Sequence, residues 1–248
     1  MFLYRSSAWI ALALTLLALG AGPSARATAV EDSVQAGVHG AVSAHQRAQA
    51  LLAMAGRVLE NDPVEAHGHA RSALTFAEQT ADVPLELQAL RCIGQAEERM
   101  GLFAEFMKTT LRALQLAQDL GDPKAIAHDL RELSTAYRMN AMLDKAVEEA
   151  RNALAMVLPT GTEQDVDEAQ RFLIQTLMHA GRHDEVLRMA ERCSQKARDR
   201  SDGTEEARLS HLIGATLLAQ RKFHDAFAYL TKAERTLNTT GDRTEQFA

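Results

Sequence analysis

One fixed period runs through this sequence and limits what it can fold into. Stepping by 40 from Ala146 meets Ala66, Phe106, Val186 and Ala226. From Ala153 it meets Ala73, Ala113, Cys193 and Ala233, and from Leu133 it meets Ala53, Ile93, Leu173 and Ile213. A fourth register holds helix-capping residues, Asp82, Asp122, Thr162, Asp202 and Asp242. A fifth, just before it, holds Ala81, Gly121, Gly161, Ser201 and Gly241. Five registers agree without one insertion, which is the pattern of a stacked repeat protein.

Residues 121–160 show what one unit is. Asp122 is suited to accept from the first free N–H groups of a helix, and Pro123 suits its first position. Ile126, Leu130, Leu133 and Tyr137 then fall at spacings of three and four and form one apolar stripe. Asn140-Ala141 breaks the pattern. A second helix carries Leu143, Ala146, Val147, Ala150, Ala153 and Leu154 on one face, and Leu158-Pro159-Thr160-Gly161 ends it. The unit is a helical hairpin with an apolar face on each helix, so it must stack on its neighbours to bury both. The same reasoning predicts helices over 43–60, 63–80, 84–100, 103–119, 123–139, 142–157, 163–180, 183–199, 204–221 and 223–238.

These residues resemble the tetratricopeptide repeat, in which an inner helix carries an apolar, a small and a Tyr position, and an outer helix carries spaced small residues. The resemblance is clearest in Leu130, Leu133, Ser134, Tyr137, Ala146, Ala150 and Ala153. Leu90, Ile93, Gly94, Gly101, Phe103 and Ala113 repeat it, as do Ile213, Gly214, Phe223, Ala226 and Ala233. It implies an all-α, right-handed solenoid of about five hairpins, near 43–81, 82–121, 122–161, 162–201 and 202–241, with the start of a further helix at 242–248. The period is longer than the usual one. It is similar to that of the periplasmic input regions of bacterial diguanylate cyclases and sensor histidine kinases, where a membrane span and a catalytic domain follow. Asp242 and Glu245 begin another capping box. The expectation is therefore either a stand-alone periplasmic relative or a signalling protein whose output domain is missing.

Residues 1–27 differ from all that follows. No charge occurs from Ser6 to Ala25, Gly22-Pro23 breaks the apolar run, and Ala25-Arg26-Ala27 offers small residues for cleavage. That is the three-part layout of a secretory signal peptide. Cleavage after Ala29 is the near equivalent, and an uncleaved signal anchor is the alternative. Residues 28–42 read as a leader into the first helix. Removal of Arg5 and Arg26 leaves 25 basic against 33 acidic residues, a formal charge of −8. Such a chain lacks the basic surface that nonspecific nucleic-acid binding needs, and no membrane contact is expected after cleavage.

Catalytic and cofactor motifs are absent from the sequence: there is no glycine-rich phosphate loop, His-Glu-x-x-His or Cys-x-x-Cys. No enzymatic activity, cofactor or metal is expected. His179 and His183 are four apart, but Gly181-Arg182 between them reads as a turn, so His183 is expected as a packed ring. His67 and His69 read as surface residues. Cys92 and Cys193 lie two repeats apart, farther than a disulfide spans, and read as buried free thiols.

One row on the inner helices stands out. The register of Leu51 continues as Arg91, Arg131, Arg171 and His211. The resemblance places that position on a concave groove. Gln95, Thr135 and Gln175, one turn further on, add hydrogen-bonding groups, and Arg138 adds charge. Arginine pairs in bidentate fashion with carboxylates, so the row suits a protein or peptide partner with acidic groups. The competing reading is a solvated face paired with Glu132 or Glu168. The expected function is an exported protein- or peptide-binding module for sensing or scaffolding. An input region of a truncated signalling protein and an envelope-assembly scaffold are the alternatives.

Overall fold

The structure, a computed structural model, describes residues 43–240. The expected signal peptide, leader and further helix at 242–248 lie outside the described residues. Ten α-helices follow one another among the described residues: α1 (Ala44–Val58), α2 (Pro63–Gln79), α3 (Val83–Arg99), α4 (Phe103–Leu120), α5 (Pro123–Met139), α6 (Leu143–Val157), α7 (Glu163–His179), α8 (His183–Asp199), α9 (Gly203–Ala219) and α10 (Phe223–Thr240). No strand occurs among the described residues. Every end lies within two residues of its expected place, because the signals that set the ends are local.

The starts are set by side-chain caps. Asp62, Asp82 and Asp202 each accept from the N–H three residues on, at 2.9, 3.1 and 3.0 Å. Asp122 accepts from the Lys124 N–H at 2.9 Å, and Thr162 closes a capping box with Asp165. The stops share one device. Ala81, Gly101, Gly121, Ala141, Gly181, Ser201 and Arg221 all have φ between 51 and 72°. At most of these links the next N–H reaches back five residues, as from Asp82 to Ala77 (3.1 Å), Met142 to Tyr137 (2.9 Å) and Lys222 to Leu217 (2.9 Å). These are Schellman closures, which satisfy the last free carbonyls of a helix. They recur at half the repeat period, so the link within a hairpin is the same as the link between hairpins.

Two links depart from this. At the one before Asp62, the Asp62 N–H reaches back only to Val58. At the other, Pro159 follows Leu158 and Gly161 does not take the left-handed conformation. A side chain at Gly161 would stand 2.5 Å from Val157 Cγ1 and 2.7 Å from the Val157 carbonyl. Only glycine lets the chain pass that close to the end of α6.

The described residues form two compact units, 43–102 and 103–240. In the first, α1–α3 pack through Ala48, Leu51, Ala73, Ala77 and Leu85, with Ala55, Ala70 and Ile93 beside them. In the second, Leu114, Leu130, Leu133 and Ala153 form one cluster, and Leu173, Ile174, Leu177, Val186, Leu209 and Ile213 belong to another. Small residues set the helix spacing. Ser134 Oγ donates to the Ala146 carbonyl at 2.8 Å. In the same register a side chain at Gly214 would meet Leu230 at 2.8 Å and the Ala226 carbonyl at 3.3 Å. Phe106 stands in the register of Ala146 in the second hairpin, and the fourth hairpin departs from the rule at both positions. Ile174 takes the place of Ser134 and Gly214, and Val186 takes that of Ala146 and Ala226. Consistent with this extra bulk, the backbones of α7 and α8 come close at fewer places than those of α5 and α6 or α9 and α10.

Candidate partner-binding surface

The inner-helix row falls in both units: Arg91 in the first, and Arg131, Arg171 and His211 in the second. All four are half-buried, whereas Leu51 in the same register is buried. Of the residues one turn on, Gln95 and Gln175 are exposed and Thr135 is half-buried, as is Arg138.

In the second unit, carboxylates of the following inner helix hold the arginines. Arg131 Nη1 donates to Glu168 Oε1 at 2.8 Å, and its guanidinium lies over the Phe172 ring, 5.1 Å from the centroid. Arg171 Nε lies 3.3 Å from Glu205 Oε1, within ion-pair range, but that N–H is buried and not aligned for a hydrogen bond. Glu205 is 7% exposed, with Arg208 on its other oxygen at 3.7 Å. Burial pushes the Glu205 carboxyl above the usual range, and the Arg171 charge opposes that shift.

Arg131 also lines a cleft of about 110 Å3 between α5 and α7, beside the α6–α7 link. Lys124, His128 and Arg131 enter it from α5, and Asp165 and Glu168 from α7. Lys124 Nζ stands 3.6 Å from Asp165. Hydrogen bonds from Thr162 hold the Asp165 carboxyl below its ordinary pKa. Charges of opposite sign thus face each other across the cleft.

Two histidines differ from their expected roles. His67 and His69 are not plain surface residues. His67 Nε2 lies 3.4 Å from the buried Glu97, and His69 Nε2 lies 3.2 Å from Glu65 one turn before it. Glu97 itself takes the register of Tyr137, a buried carboxylate in an otherwise apolar stripe. Cys193 is buried and Cys92 half-buried, both free thiols. Burial raises both pKa values. Gly181, at φ 69°, turns the chain between His179 and His183, so the two do not share one helix. Burial, then the Arg138 charge, lowers the pKa of His179. Burial also lowers that of His211, which therefore adds less charge in mildly acidic medium than an ordinary histidine.

No family model matches the sequence, and no curated protein matches it in sequence. Solved structures do match the fold. A kinesin light chain protein of Podosopora anserina with nearly identical TPR-like repeats superposes with a TM-score of 0.70 at 17% identity, over 79% of this chain and 97% of that one. BtubC from P. vanneervenii gives 0.68 at 18% identity, over 88% and 91%. The fold is that of tetratricopeptide repeats. Aspartyl phosphate phosphatase F of Bacillus subtilis is similar too, with a TM-score of 0.65 at 12% identity, over 85% of this chain and 65% of that one. In a TPR fold the half-buried row lies on inner helices, and α5 touches α7 directly. That contact brings Arg131 to Glu168.

Proposed function

We propose that this chain is an exported, non-enzymatic TPR module that binds a protein or peptide through the inner-helix row, for sensing or scaffolding in the bacterial periplasm. The observation that supports it most is the Arg131 guanidinium held over the Phe172 ring, 5.1 Å from its centroid; its pair with Glu168 is what the solvated-face reading also expects. That pair is partly exposed, at 32 and 49% for the two side chains, and such pairs are worth only about 0–1 kcal/mol. A carboxylate of a partner can replace Glu168 on Arg131 at little cost, while Phe172 keeps the guanidinium in place. Arg131 is then a poised cation, and an acidic segment of the partner is its natural occupant. The signal-like residues 1–27 support export.

The test compares wild type with an Arg91→Glu, Arg131→Glu, Arg171→Glu variant in pull-downs from periplasmic extract, with circular dichroism as folding control. A folded variant that loses the partners taken by wild type supports the reading. A folded variant that captures the same partners equally well shows the row to be a solvated face.

A further inference from the structure

On the outer helices of the second unit, α6 and α8 face each other across a groove of about 480 Å3. Each wall is a single stripe spaced i, i+3, i+4, i+7, running from Arg151 to Leu158 on α6 and from Glu185 to Arg192 on α8. Leu173 and Leu177 of α7 line its base, 5 and 2% exposed. The groove runs between the third hairpin and the fourth, where Ile174 and Val186 stand in place of Ser134 and Ala146, and there inner-helix leucines reach the gap between outer helices. Leu158, followed by Pro159, stands 57% exposed at one end.

The charge on its walls is one-sided. Arg151 pairs with Glu185. Arg188 and Arg192 make no ion pair among the described residues, and Arg192 Nε donates only to the Arg188 carbonyl, at 3.2 Å. Two uncompensated guanidinium groups therefore border an apolar floor, in a chain whose formal charge is −6. The inner row is different, since Arg131 and Arg171 each have a carboxylate close by.

We propose that this groove binds an acidic amphipathic helix of a partner protein. Two helices over a third leave a channel shaped for a fourth, whose side chains at i, i+3 or i+4 and i+7 can enter it. Apolar residues at those positions cover Leu158 together with the half-buried Leu154 and Met189 that also line the groove. Carboxylates flanking them pair with Arg188 and Arg192 and supply the charge that the groove lacks. The site uses no residue of the inner row, so it stands or falls separately from the function proposed above.

The experiment is a selection from a displayed random library of peptides of about 16 residues, long enough for four turns, on the whole chain. Three proteins are compared: wild type, Arg188→Glu/Arg192→Glu, and Arg131→Glu/Arg171→Glu. A milder Arg188→Ala/Arg192→Ala variant serves if the first fails its circular dichroism control. The expected result is enrichment of sequences with apolar residues at helical spacing and Asp or Glu beside them. Their affinity should fall at least about tenfold in the Arg188/Arg192 variant, be unchanged in the inner-row variant, and decline with salt. No enriched sequence, basic or unpatterned sequences, or binding indifferent to Arg188 and Arg192 overturns the proposal. Equally tight binding of wild type to phosphatidylserine-rich vesicles also overturns it, because the groove would then be a general anion surface.

Discussion

At the scale of single residues, the left-handed links carry a testable cost. Ala141 holds φ 57°, a conformation that crowds a Cβ against the following carbonyl. Ala141→Gly should therefore raise stability by about 0.5–1 kcal/mol, the relief of that contact outweighing the added freedom of the unfolded chain. Gly121→Ala, at φ 66°, should lower it by a similar amount, and chemical denaturation measures both. Glu205 offers a second measurement. Its pKa is raised by burial above the ordinary value of 4.5, so the folded state holds its proton to higher pH than the unfolded chain. Whatever stability this contributes is complete below pH 4.5 and is lost as the pH rises through the folded pKa. The stability of wild type relative to Glu205→Gln should fall over that window and level off above it. Equal pH profiles for the two proteins would contradict the assignment. The capping residues were legible in the sequence because each acts within three positions. The carboxylate that holds Arg171 was not. Arg131 meets Glu168 and Arg171 meets Glu205, and neither partner lies one full period ahead, so the repeat register does not predict it.

Among the helices, small residues fix how closely each pair approaches. Gly214→Val should force Leu230 and the Ala226 carbonyl outward and cost about 2 kcal/mol, seen as a lower melting temperature. Leu133, 2% exposed in its cluster, is more sensitive. Leu133→Asp buries an unpaired carboxylate and should cost about 4 kcal/mol, enough to abolish soluble expression. Hydrogen exchange should find the α7–α8 hairpin opening more readily than α9–α10, because the backbones of α7 and α8 come close at fewer places. Equal protection would show that Ile174 and Val186 are accommodated without loss. The helices themselves could be read from the sequence, since stripe, cap and turn agree in each. The groove between α6 and α8 could not. It arises from two stripes on successive hairpins and from the departure of Ile174 from a small-residue register, whose spatial effect periodicity does not convey.

For the whole molecule, the proposed export makes a direct prediction. Mass spectrometry of a periplasmic product should give a mature start at Thr28 or Val30, and a full-length product held in the inner membrane would favour the anchor reading. The regular links have a further consequence. Because the same left-handed closure returns at nearly every half period, and Asp82, Asp122, Thr162 and Asp202 each cap the next helix with a side-chain oxygen, the chain is punctuated like type set in equal lines. Cutting out 122–161 would join Gly121 directly to Thr162, a left-handed glycine followed by an N-cap, as at Gly121-Asp122 itself. The splice needs no new turn. A chain of this kind can gain or lose a whole hairpin and still have properly ended helices, so its length can change in steps of one repeat.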